Sequence, residues 1–246
     1  MPENILILGG TAEAARLARA AHETLSGRAR IVVSLAGRTR APASLPVETR
    51  SGGFGGAAGL ADYLRAEKIA LLVDATHPFA ARMSANARIA CAAANVPRLQ
   101  LVRPAWTIPK LARVTWAANL GEAANLLPDM SQAAFLAVGG RGMAAFETIE
   151  TVRLVARMVE MPDEKPANIE VVLGRPPFTG DSERALCERR KVETLVARAS
   201  GGAAGLAKIE AARDLKLSIL LVRRPDPEPG ECVDSVEAAR AWIENR

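Results

Sequence analysis

The first hundred residues alternate between two periodicities. A continuous apolar run at 5–8 is followed by an alanine-rich stretch at 12–25 that repeats its apolar positions at helical spacing. A second apolar run occupies 31–35, and a glycine-rich loop at 52–56 leads into a helix through GLADYLRAEK. Residues 69–74 then form a buried strand, 80–94 a helix and 98–102 a strand. Strand and helix periods taking turns in this way predict βαβ units and a parallel sheet.

The stretch RPAWTIPKLARVTW at 103–116 breaks the rhythm with two prolines and two tryptophans, and reads as the crossover to a second domain. Beyond it, AAFLAVGGRG repeats the pattern of a strand followed by glycines. Further strands are expected at 152–159, 169–173, 193–198 and 218–222, and helices at 181–190, 203–215 and 235–245. The expected fold class is therefore α/β, with two lobes at 1–105 and 106–246 and an active-site cleft between them. Short repeats and low-complexity segments are absent from the sequence.

Composition narrows the functional classes. Hydrophobic residues make up 49% of 246, enough for a packed core, whereas aromatics at 4% are too few for a single-stranded nucleic-acid stacking platform. The net charge of +5 comes from basic residues spread along the chain, several beside turn glycines, which points to local sites for an anionic ligand. No nucleic-acid motif accompanies the charge. Cys91, Cys187 and Cys232 are distant and odd in number, and only two histidines occur, so neither disulfides nor a metal site is expected. The opening MPENILILGG lacks a basic leader and its apolar run is short, so the expectation is a cytoplasmic protein without a membrane segment.

The candidate chemistry sits where strands end. Gly9, Gly10 and Thr11 lie between the first strand and the first helix, where backbone N–H groups and the helix dipole attract a phosphate. The G-x-G-x-x-G spacing is missing, so an ordinary βα turn competes with this reading. Glu13 is expected to cap the helix, with a contact to a ribose hydroxyl as the alternative. At the end of the second strand, a dinucleotide site selective for NADH would carry an acid for the ribose 2′-hydroxyl. Here Ser34, Arg38 and Thr39 offer donors instead, which favours the 2′-phosphate of NADPH. A solvated arginine on a surface turn is the competing account. Around Phe54, the glycines of RSGGFGG, Gly53 and Gly55 among them, allow close approach of a flat ligand. Asp74 ends a buried strand, and Thr76, His77 and Pro78 follow it toward the crevice where ligands bind in open parallel sheets.

Four motifs taken in order carry a resemblance. G-G-T-x-E at 9–13, S-L-A-G-R-T at 34–39, R-x-G-G-F-G-G at 50–56 and D-A-T-H-P-F-A at 74–80 are similar to the precorrin-6A reductase family. MSANA, LVRPAW and the region from SGG at 200 through LVRRP continue the match over nearly the whole chain. The resemblance implies two Rossmann-like lobes and NADPH as cofactor, with Gly37 joining the first-lobe set. It also implies reduction of the C18=C19 bond of precorrin-6A to precorrin-6B in cobalamin biosynthesis. The implied partner is a small-molecule tetrapyrrole, with hand-over to neighbouring corrin-pathway enzymes as an accompanying expectation. Cobalt-containing forms of the substrate occur in one branch of the family. Two positions depart from the family pattern: Ala199 replaces a polar residue, and Pro176 stands where glycine is usual.

A substrate bearing acetates and propionates suits a basic site. Arg141, Arg198 and Lys208 are candidates for its carboxylates, and Ser200, Gly201 and Gly202 add backbone donors at a helix start. Solvated surface charge is the plain alternative for each cation. A proton must accompany the hydride, and His77 is a candidate donor alongside water or a substrate carboxylic acid. Other readings are weaker. A Tyr-x-x-x-Lys carbonyl reductase is disfavoured because the only tyrosine, Tyr63, is followed four positions on by Glu67. A methyltransferase lacks an acid after the second strand. A non-catalytic NADPH sensor would leave the second set of glycine-rich loops without a role.

Overall fold

The computed structural model describes residues 3–25, 27–37, 44–162, 166–175 and 177–246. The chain divides into two units, one of Met1–Pro104 with Pro225–Arg246 and the other of Ala105–Arg224. The first unit begins with β1 (Glu3–Leu8), α1 (Ala12–Leu25), β2 (Ala29–Leu35), β3 (Glu48–Ser51), α2 (Gly56–Ala66), β4 (Ile69–Asp74), α3 (Ala81–Ala94) and β5 (Arg98–Leu101). The second contains β6 (Arg113–Ala117), α4 (Leu120–Met130), β7 (Ala133–Ala137), α5 (Gly140–Met143), β8 (Arg153–Met158), β9 (Ile169–Leu173), α6 (Gly180–Arg189), β10 (Thr194–Arg198), α7 (Leu206–Asp214) and β11 (Ser218–Val222). The chain then returns to the first unit with β12 (Cys232–Val233) and α8 (Val236–Glu244).

In the first unit the strand order is β3-β2-β1-β4-β5-β12, and every pairing is parallel. This is the doubly wound order, with its switch point between β1 and β4. β1 is one of the two central strands, which explains why its run is apolar on both faces: Ile5, Leu6, Ile7 and Leu8 are all buried. α1 forms because Ala14, Leu17, Ala18 and Ala21 line one stripe, which packs with Ile5, Ile7, Val33 and Val73. The other face of the sheet holds Leu6, Leu8 and Leu72 against α2 and α3 through Leu60, Leu64 and Ala87. Arg30 fastens the polar end of the sheet, donating to Glu48 and to Glu67 at 2.8 Å each.

The second unit repeats the plan in the order β9-β8-β7-β10-β11-β6, again all parallel. Its outer sixth position is filled by β6, which precedes the central β7 in sequence. A core of Phe135, Leu195, Ile209, Ile219 and Leu221 lies under α6 and α7. Arg157 donates to the buried Glu183 at 2.6 Å and stacks over Phe178, tying β8 to α6.

The expected division at 1–105 and 106–246 needs a correction. Residues 225–246 belong with the first unit, because β12 pairs with β5 and α8 buries Val236, Ala239 and Ile243 against the same core as α1. The stretch 103–116 is also more than a crossover, since its last residues enter β6. The expected helix at 203–215 begins as a turn of 3-10 helix at Ala203–Gly205 before α7.

Candidate functional site

In the first unit the predicted residues gather at the carboxyl ends of the strands. The loop after β1 is stitched to its neighbours: Gly9 N–H donates to the Ser34 carbonyl at 2.9 Å, and Ala75 N–H to the Leu8 carbonyl at 3.0 Å. Thr11 Oγ1 donates to the Ala75 carbonyl at 2.7 Å and accepts from Ala14 N–H at 3.1 Å. Thr11 is thus the hydrogen-bonding cap of α1, a role expected of Glu13. Glu13 instead forms an ion pair with Arg103 at 3.7 Å, beside the start of the helix. Both glycines are required by the backbone and its surroundings. A Cβ at Gly9 would stand 2.9 Å from Val33 Cγ1, whereas Gly10 has φ +102° and open space around its Cα. The loop therefore presents bare backbone at the N-terminus of a fourteen-residue helix.

At the end of β2, Ser34 is buried and its hydroxyl accepts from Arg50 Nη1 at 2.6 Å. Arg50 also donates to the Gly52 and Gly53 carbonyls at 3.3 and 3.2 Å, and its guanidinium lies 3.9 Å from the centre of the Phe54 ring. Phe54 meets Tyr63 edge to face at 5.1 Å, and burial raises the Tyr63 pKa, keeping the phenol neutral. Arg50 opens the R-x-G-G-F-G-G motif but is not among the residues expected to meet the cofactor. Its signal is the parallel register of β2 and β3, which sets Ser34 opposite Arg50. Gly37 turns at φ +68°, close to Gly52, and Gly55 caps α2 at φ +76°. Arg38 and Thr39 lie outside the described residues.

After β4, the buried Asp74 accepts from Thr76 N–H at 3.1 Å and Thr76 Oγ1 at 2.7 Å through one oxygen. His77 Nδ1 accepts from Phe79 N–H at 3.2 Å, which places the proton of the neutral ring on Nε2. Pro78 follows, before the start of α3.

The second unit's predicted residues lie at the end of β10 and in the loops and helices that follow β7 and β10. Gly139, at φ +72°, and Gly140 follow β7, and Arg141 is exposed in the short α5. Arg198 ends β10, and its Nη2 would be 2.9 Å from a Cβ at Gly142, so the guanidinium lies against the backbone after β7. Ser200 N–H turns back to the Arg198 carbonyl at 2.7 Å, and Gly201 and Gly202 both have positive φ. Trp106 Nε1 donates to the Gly202 carbonyl at 2.7 Å and its ring fills the space a side chain at Gly205 would need. Lys208 is half-buried in α7. The Ala199 backbone N–H pairs with the Val222 carbonyl at 2.9 Å, a bond that needs no side chain; Pro176 lies outside the described residues. Among the described residues, no group of three potential metal ligands occurs, and no helix is long and apolar enough to cross a membrane.

A sequence model of the family described as precorrin-6x reductase CbiJ/CobK matches residues 4–244. The chain belongs to the precorrin-6x reductase family. A precorrin-6A reductase of Rhodococcus erythropolis is 42% identical over 242 residues, covering 97% of this chain and 96% of the relative. A cobalt-precorrin-6A reductase of Priestia megaterium is 29% identical over 194 residues, covering 72% of this chain and 74% of that one. Among solved structures, a CobK precorrin-6A reductase aligns with a TM-score of 0.90 and 37% identity over 99% of this chain and 96% of its own. The α/β architecture of two parallel-sheet lobes is thus that of a precorrin-6x reductase.

Proposed function

We propose that the protein reduces the C18=C19 double bond of precorrin-6A with a hydride from NADPH, giving precorrin-6B in corrin-ring biosynthesis. The family match along 4–244 is the observation that carries this reading. Higher identity to a precorrin-6A reductase than to a cobalt-precorrin-6A reductase supports a metal-free substrate.

The first unit fits a phosphorylated dinucleotide. Bare backbone at Gly9 and Gly10 and the start of α1 would hold the pyrophosphate, with Thr11 fixing the loop. Arg50 and Ser34, together with Gly37, Arg38 and Thr39, would receive the 2′-phosphate. Gly53, Phe54 and Gly55 would flank the adenosine, and Thr76, His77 and Pro78 the other mononucleotide half. Bound there, NADPH supplies the hydride, while the residues govern position and charge. Most of the rate then comes from holding donor and acceptor carbons about 3–3.5 Å apart. Arg141, Arg198 and Lys208, with the N–H groups of Ser200, Gly201 and Gly202, would take the substrate carboxylates. The proton needed by the reduced macrocycle would come from an imidazolium at His77, from water or from a substrate carboxylic acid.

The test combines purified chain, NADPH and precorrin-6A, following nicotinamide absorbance and the macrocycle spectrum together. Simultaneous loss of the first and change in the second is expected. Tight NADPH binding without turnover would favour a sensor, and equal rates with NADH would remove the 2′-phosphate assignment.

A further inference from the structure

The loop after β10 turns on two adjacent glycines, Gly201 at φ +71° and Gly202 at φ +74° and ψ +156°. The second of these lies in a backbone region that only glycine visits freely. Glycine also has the most conformational freedom to lose, so such a pair keeps one shape only if something outside it does the holding. Trp106 holds the turn at two points. Its Nε1 donates to the Gly202 carbonyl at 2.7 Å. Its ring lies so close to Gly205 that a Cβ there would stand 2.5 Å from Cζ2 and 3.3 Å from Cη2. Gly205 has an ordinary right-handed backbone, φ −95° and ψ −9°, so the chain path does not require glycine at that position; the indole does. Trp106 also packs against the core that contains Leu195, Ile209 and Leu221. The core thus fixes the indole, and the indole fixes the turn from Gly202 to Gly205.

Packing alone needs only a ring of that size. The nitrogen adds a direction for the Gly202 carbonyl, and because the peptide unit is planar, fixing that oxygen fixes how the next peptide sits relative to the Gly202 N–H. We propose that Trp106 is a positioning residue for the substrate: it pre-orders the Gly201 and Gly202 donors that take a tetrapyrrole carboxylate, and so sets affinity for the macrocycle through the loop. This rests on the substrate reading above and deepens it. With the indole in place, the entropy of ordering two glycines is lost on folding and not on binding. Without it, the macrocycle must order the loop itself. The dinucleotide is assigned to the other unit, so its affinity is indifferent to Trp106.

Steady-state kinetics of the full chain with precorrin-6A and NADPH, paired with urea midpoints, tests it in two variants. Trp106→Phe removes the donor and draws the ring back from Gly205. Gly205→Ala keeps the donor but drives a methyl group into the ring. Each should raise KM for precorrin-6A about three- to tenfold, with kcat and KM for NADPH within about twofold of wild type. The two effects should not multiply: in the Trp106→Phe background, Gly205→Ala should change KM for precorrin-6A by less than about twofold. A tryptophan with only a structural role would lower the urea midpoint and leave KM for precorrin-6A unchanged. That result overturns the proposal, as do effects that multiply or an equal rise in KM for NADPH. Gly205→Ala carries the same test if Trp106→Phe does not fold. Wild-type turnover with an unchanged KM in the variants removes the role of Trp106 alone; a wild type that does not reduce precorrin-6A removes the substrate reading and this inference with it.

Discussion

Ser34 had a legible chemical type and an illegible partner. A hydroxyl in place of an acid at the end of the second strand is visible in the sequence, and it raises the expectation of a phosphorylated ribose. Arg50 sits sixteen residues away, and only the β2–β3 pairing shows that it holds Ser34. Its guanidinium is fixed by carbonyls and by the Phe54 ring before any ligand arrives, so little conformational entropy remains to be lost on binding. Arg50→Ala should raise KM for NADPH by roughly ten- to a hundredfold through loss of charge-assisted bonds, with kcat nearly unchanged. KM for NADH should move much less, and steady-state kinetics with the two dinucleotides decides the point. Glu13 teaches the reverse lesson. An acid in a first helical turn reads as a cap, yet Thr11 makes the bond and Glu13 pairs with Arg103, because the partner comes from a distant strand end.

Elements with strong periodicity or an unbroken apolar run were readable: β1, α1 and β4 have runs whose burial pattern is encoded locally. Others were not. β6 is a short edge strand whose residues Arg113, Thr115 and Trp116 are exposed, so its pattern lacks apolar continuity. α4 carries Pro128 in its last turn, which masks the helical period. α8 was visible as a helix, but an amphipathic stripe does not name the sheet it will cover. Its Ile243 is buried in the first unit's core, so Ile243→Ala should cost about 2–5 kcal/mol. The denaturant midpoint should fall accordingly. The two buried thiols predict an alkaline limit. Burial pushes Cys91 up to about 12 and Cys187 up to about 11. The folded chain keeps these protons while the unfolded chain releases them near the ordinary thiol pKa of about 8.5. Their contribution is therefore complete below that value and is lost as pH rises toward the folded values. Urea midpoints should be lower at about pH 10 than near neutrality, and a Cys91→Ala, Cys187→Ala variant should show a shallower decline.

Across the whole molecule, the fold class followed from the alternation of periods, whereas the path of the chain did not. The sequence places 225–246 after the second lobe; pairing of Cys232 and Val233 with Gln100 and Leu101 returns them to the first. Two-residue pairings of that kind carry no periodic signal. The consequence is functional, because the returning segment stands beside the strand ends where the dinucleotide is proposed to bind. Direct hydride transfer from the reduced nicotinamide to the macrocycle is the central claim, and isotopic labelling tests it. Purified chain should be given precorrin-6A and NADPH deuterated at the transferred position of the nicotinamide, and the product analysed by mass spectrometry. A reduced macrocycle carrying the deuterium is the predicted result. Reduced product without the label, or no reduction while the labelled dinucleotide stays bound and unconsumed, would contradict the account.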